Sequence, residues 1–372
     1  MKIVSSYLLG ILALLCITSC KDQNIKLNTI IEEDGSCIRE FTYSNIMSQS
    51  ARDCLWKDEG VAPLSYPIPD CICVDSMMGS HTEINGDTVT TVLTQLSHSV
   101  EEMCEHTPLR LNGVPLKSSA KLEKHFRWFY TEYTFTETFK SLCDNFSIKP
   151  NENAEAEIVN YWFTGQPNIL KGMNGAEAAN KLQEIEPLIT KWFNDNVAAT
   201  TIEFMMVHYD SIKNPPVSKA EFMDLQDSLT AYIVANSGED ILNQHIDELF
   251  SHFFHSDAYS IFFEEGTPCY NELSEILSEQ IAPFFLSLPY TLQMPGTIIE
   301  AGQGSIVDGI AVYKLTGERL IPQDYVITAT SRVTNIWTCI VSIIIILGAI
   351  GIFWWTRRKS LGQNTHSGIY IC

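Results

Sequence analysis

Several catalytic signatures are missing from this sequence. There is no GxSxG nucleophile elbow and no HExxH zinc helix. No second CxC or CxxC accompanies Cys71-Ile72-Cys73, so a structural zinc site lacks its other half. The glycine-rich stretch Gly302-Gln303-Gly304-Ser305 lies between strand-like segments, without the helix start that a phosphate-binding loop needs. Positive charge is also scarce. Against 45 Asp and Glu there are 24 Lys and Arg, for a net charge of −21. A surface of that sign repels nucleic acid and anionic lipid, which excludes a nucleic-acid partner. No long low-complexity run appears, and hydrophobic content is ordinary for a globular protein. The many carboxylates cannot be paired into an acid–base couple without knowing their separations.

What is present sits first at the two ends. Met1-Lys2 is a short basic start and Ile3–Ile17 is mostly apolar, too short for a span and shaped like a signal peptide. Ile17-Thr18-Ser19-Cys20 resembles the lipobox of bacterial lipoproteins, which implies cleavage before Cys20 and lipidation of its thiol. The alternative is an ordinary signal peptide cleaved near Ser19. At the other end, Ile336–Trp355 is 20 residues without a charge, about 30 Å as a helix and enough to cross a hydrocarbon core. Trp337 stands at one end of this run and Phe353, Trp354 and Trp355 at the other, followed by Arg357-Arg358-Lys359. Interfacial aromatics and a basic flank predict a transmembrane helix with its C-terminal tail in the cytoplasm. Both ends agree on an ectodomain outside a bacterial cytoplasmic membrane, facing the periplasm or the exterior. The end segments hold four basic residues and no acid, so the part between them carries about −25.

Between the ends, two hairpins are expected. One runs over Ile25–Tyr43 with a two-residue turn at Asp34-Gly35, the other from Thr82 to Leu96 with its turn at Asn85-Gly86. Asn45–Gly60 reads as a helix, Val61–Asp70 as irregular, and Ser99–Glu102 as a capping box. Lys121–Phe139 reads as the strongest strand, with Phe126, Trp128 and Tyr130 on one face and Tyr133, Phe135 and Phe139 on the other. The change of face implies a bulge or a sheet covered on both sides. Helical periodicity follows at Glu177–Ile212, Lys219–Ala235, Glu239–Phe263 and Tyr270–Phe285, with a second capping box at Ser218–Glu221. Strands return at Tyr290–Met294, Thr297–Ala301, Ser305–Leu315 and Tyr325–Thr330.

These patterns predict an α+β fold. An antiparallel sheet combines the N- and C-terminal strand regions, a helical block is inserted between them, and one C-terminal transmembrane helix follows. The expected divisions are a signal peptide at 1–19, a strand-rich part at 20–150, the helical block at 151–286, a strand region at 287–335, the span at 336–355 and a cytoplasmic tail at 356–372. Seven cysteines lie between Cys20 and the span, five of them within Cys37–Cys104. Structural disulfides or buried thiols are the expectation there.

Glu33-Asp34-Gly35-Ser36 soon after the lipidated cysteine, Met294-Pro295-Gly296-Thr297 with Ala311–Leu315, and a single C-terminal span with a basic flank resemble the LppM-like bacterial envelope lipoproteins. The likeness covers about a third of the chain. It implies an α+β envelope domain and transfers no catalytic residues, and the long helical block departs from that family's compact domain.

Two groups of residues are candidates for chemistry. His245, Glu248, His252 and His255 recur at 3-4-3 spacing along the edge of an apolar helix face, which suits a divalent metal such as zinc or nickel. The same pattern also describes a solvated amphipathic edge. Phe126, Trp128 and Tyr130 form a candidate ligand platform, or else core. No other cofactor is indicated. The sequence thus points to a membrane-anchored binding or envelope-assembly module with the bilayer and an envelope protein as partners. The alternatives are a metal-dependent envelope hydrolase or a carrier of lipid or another small molecule.

Overall fold

The computed structural model describes residues 25–46, 72–73, 78–107, 109–111, 113–236, 241 and 246–363, with side chains to Arg358. The expected signal peptide and Cys20, residues 47–60 of the expected helix Asn45–Gly60 (Asn45 and Ile46 instead end a strand), the stretch 61–70, Cys54, Cys71, His245 and the tail from 364 lie outside these residues.

In chain order the strands and helices begin with β1 (Lys26–Ile31), β2 (Cys37–Ile46), β3 (Gly79–Asn85), β4 (Thr88–Ser97) and α1 (Val100–Glu105). Next come the short pair β5 (Arg110–Leu111) and β6 (Val114–Pro115), then the long hairpin β7 (Ser118–Phe126) and β8 (Tyr130–Phe139). Helices follow as α2 (Pro150–Asn153), α3 (Ala156–Thr164), α4 (Gly175–Val207), α5 (Lys219–Asp224), α6 (Gln226–Asn236), α7 (Ile246–Phe254) and α8 (Pro268–Ile281). The chain then returns to strands with β9 (Ser287–Gln293), β10 (Thr297–Glu300), β11 (Ser305–Val307), β12 (Ile310–Thr316) and β13 (Tyr325–Thr334). It finishes in α9 (Ile336–Gln363).

The strands make two main sheets rather than the single sheet expected. The larger has the order β11-β12-β9-β1-β2-β4-β3 and the smaller β10-β13-β8-β7. The larger is mixed. β1 runs parallel to β9, Leu27 opposite Tyr290, while every other neighbour is antiparallel. A parallel partner 263 residues away leaves no local signature, because sequence periodicity reports which face is buried and not which strand is adjacent.

Burial alternates with period two on the facing strands. β2 buries Cys37, Arg39, Phe41 and Tyr43, and β8 buries Thr131, Tyr133, Phe135, Glu137 and Phe139. These inner faces, with Leu288, Tyr290 and Leu292 of β9 and Tyr325, Ile327 and Ala329 of β13, form one continuous apolar core. Val100, Met103 and Cys104 of α1 pack into the same core.

Two expected turns are re-registered. The first hairpin closes with five residues, Glu32–Ser36, between the paired Ile31 and Cys37. Asp34 accepts from the Ser36 amide at 2.9 Å and from its hydroxyl at 2.6 Å, and Gly35 takes φ 95°. An aspartate that caps its own loop draws the turn wider than two residues. In the second hairpin Asn85 pairs with Thr88, so the turn residues are Gly86 and Asp87, with Gly86 at φ 65°.

The helices have cores of their own. In α4, whose N-terminus Asn174 and Glu177 close as a capping box, Trp192 is fully buried and donates to the Ile148 carbonyl at 2.8 Å. Asn196 fixes the same residue from both sides, accepting from its amide and donating to its carbonyl. The expected helix 219–235 breaks at Leu225, whose amide turns back to Glu221 and Phe222. The Ser218–Glu221 capping box forms as its residues predict. Ile321, just before β13, packs with Trp192, Phe146 and Phe163, so the helical region meets the sheets through a shared apolar cluster.

Candidate functional site

A dense set of cross-links joins the β7–β8 hairpin to the start of α9. A single residue, Asn335, separates β13 from α9. Its amide donates to the Phe129 carbonyl at 2.9 Å, its Nδ2 donates to the Arg127 carbonyl at 2.8 Å, and its Oδ1 accepts from Thr131 Oγ1 at 3.0 Å. Thr338, fully buried one turn on, returns its hydroxyl to the Asn335 carbonyl at 2.7 Å. Trp128 donates from Nε1 to Ser342 Oγ at 2.8 Å, and Ser342 donates in turn to the Thr338 carbonyl at 2.7 Å. Trp337 stacks on Phe126 at 6.2 Å and meets the edge of Trp128 at 6.1 Å.

This geometry corrects the expected strand 121–139. Phe126 pairs with Thr131, and the Arg127 amide donates to the Tyr130 carbonyl at 2.8 Å, so the chain reverses through Trp128 and Phe129. The change of aromatic face is a turn and not a bulge. It escaped the sequence reading because the turn holds no Gly, Asn, Asp or Pro. Of the candidate platform, Phe126 and Trp128 come together against α9, while Tyr130 opens β8 and carries the Arg332 guanidinium 4.5 Å over its ring. They do not form core. Phe126 and Trp128 stay 56% and 45% exposed even after packing on Trp337, and Phe129 beside them is 56% exposed.

α9 itself leaves this contact bare. From Ile343 to Trp355 every residue is exposed. Ile336–Arg358, 23 residues, is long and apolar enough to cross a membrane.

A second constellation is sealed between the sheets. Arg39 and Glu137, both fully buried, pair at 2.7 Å from Nη2 to Oε2. The Tyr290 hydroxyl lies 3.3 Å from the same Nη2 and donates to Glu137 Oε2 at 2.9 Å. Arg39 Nε donates to Thr29, and Ser118 Oγ donates to Glu137 Oε1 at 3.0 Å. Burial works against the Arg39 charge, but the Glu137 carboxylate outweighs it and holds the guanidinium above its ordinary value. Burial also raises Tyr290, and it pushes the neighbouring Cys37 and Cys104 thiols up to about 11. Such thiols stay protonated and poorly nucleophilic at neutral pH. Arg39 Nη1 has no hydrogen-bond partner among the described residues. The charges come from opposite sheets, so the pair ties the two inner faces together and is sealed from solvent.

Two surface clefts of about 260 Å³ each are open to solvent. One lies between α3 and the start of β13, lined by Asn160, Gln166, Gln303, Gln323 and Asp324. There Ser141 and Lys140 bind the Asp324 carboxylate and hold it below its ordinary value. The other cleft lies beside the β1–β2 turn, with Asp34, Glu101 and Lys124.

The candidate metal stripe is only partly visible. Glu248 and His252 are exposed on α7, and the helix ends at Phe254. His255 takes φ 52° and leaves the helical spacing on which the 3-4-3 pattern depends. Among the described residues no three His, Cys, Asp or Glu side chains come close enough together to hold a metal ion, and His245 lies outside them. Cys37, Cys104 and Cys269 are buried free thiols. No protein-family model matches this chain, and no curated protein or solved structure matches it either.

Proposed function

We propose that this protein is a membrane-anchored module that holds a folded α+β body at a bilayer surface outside the cytoplasm. It acts there by binding or assembling with other envelope components rather than by turning over a substrate. One observation carries the reading. The sheet passes into the apolar helix α9 through one residue, and that residue is clamped by three hydrogen bonds to the β7–β8 turn. A tether that merely kept an enzyme near a membrane would work through a flexible linker. A clamped junction fixes the body at one height and tilt, which matters when a defined face must meet a partner.

Other features support the same reading. Arg357-Arg358-Lys359 after the span favours a cytoplasmic C-terminus, and lipidation of Cys20 would add a second anchor on the outer side. Two strongly perturbed groups, Arg39 and Tyr290, are buried between the sheets instead of lining a cleft. Residues 151–286 are read as an insertion between the two strand regions, offering partners a surface separate from the anchored sheets.

The test uses the full chain in a bacterial host. Membranes are washed with alkaline carbonate, intact cells or spheroplasts are probed with protease, and cross-linked complexes are captured from detergent extracts. Retention in the washed membrane, digestion of the body from outside and one near-stoichiometric partner are expected. Release by carbonate would overturn the anchor. Turnover of an envelope substrate that is lost with one defined residue would overturn the non-catalytic role.

A further inference from the structure

We propose that the tip of the β7–β8 hairpin, Phe126–Phe129, is a second membrane-embedded element, seated at the boundary between headgroups and acyl chains beside the first two turns of α9. The inference rests on the reading of α9 as a span and deepens it.

The argument is one of length. Trp128 is hydrogen-bonded to Ser342, six residues beyond Ile336 and so about 9 Å along the helix axis. If the bilayer began only after the hairpin contact, the part of the expected span left to cross it would be Ile343–Trp355. Thirteen residues reach about 20 Å, well short of a hydrocarbon core of about 30 Å. The first two turns of α9 are therefore needed to fill the core. The hairpin tip is fastened to those turns, so it enters with them.

The chemistry of the tip suits that depth. Phe126, Trp128 and Phe129 are exposed large aromatics on a protein whose facing sheets otherwise bury theirs. Amphipathic rings such as Trp favour this zone of a bilayer. A polar group carried into it needs an internal partner. The Trp128 indole nitrogen has Ser342, the Arg127 and Phe129 carbonyls have Asn335, and the Thr131 hydroxyl has Asn335 Oδ1. Just behind the tip stand Arg127 and Arg332, the latter paired with Glu132, long cations that can reach lipid phosphates while their stems stay lower. Continuity with α9 makes the occupant of this apolar surface lipid rather than a second copy of the chain.

The full chain is reconstituted into phosphatidylcholine vesicles containing a phosphatidylcholine with a diazirine in its acyl chain. After irradiation, lipid adducts are mapped by mass spectrometry. Adducts are expected both on Ile343–Ile352 of α9 and on Phe126–Phe129. Yield at the tip should exceed that on the exposed edge strand β3 by an order of magnitude. Adducts on α9 with none on the tip would overturn this inference and leave the span intact. Adducts on neither would overturn the span and the inference together. Cross-links between copies at Trp128 or Phe129, in place of lipid adducts, would assign the tip to self-association and overturn it as well.

Discussion

Asn335 and Arg127 lie 208 residues apart and are joined by a 2.8 Å hydrogen bond from the Asn335 side chain to the Arg127 carbonyl. Through that bond the last residue before α9 governs the conformation of a turn in the middle of the chain. Replacing Asn335 with Ala removes this bond and the one from Thr131, and leaves polar groups at a site 9% exposed. The expected cost is about 1–3 kcal/mol for each partner left buried and unpaired. Denaturant titration of the detergent-solubilised protein measures it. Hydrogen exchange should speed up at residues 127–131 and stay slow in α4. Uniform loss of protection would mean that the turn is not the local target.

Arg39 and Glu137 allow a sharper test, because a buried ion pair and a stabilising ion pair are different things. Truncating one partner strands the other charge between the sheets. Arg39→Met and Glu137→Leu should each cost about 3–5 kcal/mol. The double variant should recover most of that loss, since Arg39 Nη1 is already without a partner and the apolar neighbours Phe41, Phe135 and Phe139 can accept similar volume. Equilibrium unfolding of the four proteins closes the cycle. A double variant as unstable as the sum of the singles would show that Tyr290, Thr29 and Ser118 make the network net stabilising.

These two sites mark where reading the sequence succeeded and where it stopped. The shared face of Tyr133, Phe135 and Phe139 was legible in the sequence, while the period-two burial of Cys37, Arg39, Phe41 and Tyr43, and of Glu137 in β8, emerged only with the structure. A charge at an inward position in each strand was an available signal for a buried pair. What no local pattern supplies is the partner. Which strand lies opposite, and whether β1 meets β9 in parallel, are decided by packing across the whole chain. Helix starts were legible where a capping box is local, as at Ser99 and Ser218, whereas the Asn174 cap was not read. The 127–129 turn was hidden because its residues answer to α9 rather than to turn geometry. The break at Leu225 was hidden because apolar periodicity continues through it.

Glu318 gives a prediction in pH. Burial raises its carboxyl above the ordinary value, with Lys314 and Arg319 opposing weakly. Folding therefore favours the protonated form. The stability tied to Glu318 is fully present below its unfolded pKa and is lost as pH rises through the higher folded value. Glu318→Gln imitates the neutral form. It should unfold at a higher temperature than the parent at pH 7, and the gap should close near pH 4, about the unfolded pKa of a glutamate. Melting curves at both values decide it, and a gap that does not change with pH would remove burial as the cause.

The attachment of the helical region to the sheets can be tested at one glycine. Gly317 follows β12, and its amide donates to the Leu286 carbonyl at 3.0 Å. A Cβ at this position would stand 2.4 Å from the Pro283 carbonyl oxygen and 2.7 Å from its Cα, both backbone atoms at the end of the helical region. Neither can swing aside as a side-chain tip would, so the two segments must part. Gly317→Ala should cost about 1–3 kcal/mol through this overpacking. Gly175→Ala is the matched comparison. It opens α4, meets nothing within 4 Å, and should be neutral or gain up to about 1 kcal/mol from the unfolded chain's lost freedom. If Gly317→Ala instead leaves the unfolding midpoint unchanged, residues 283 and 317 are not held in contact, and the helical region is free to move against the sheets.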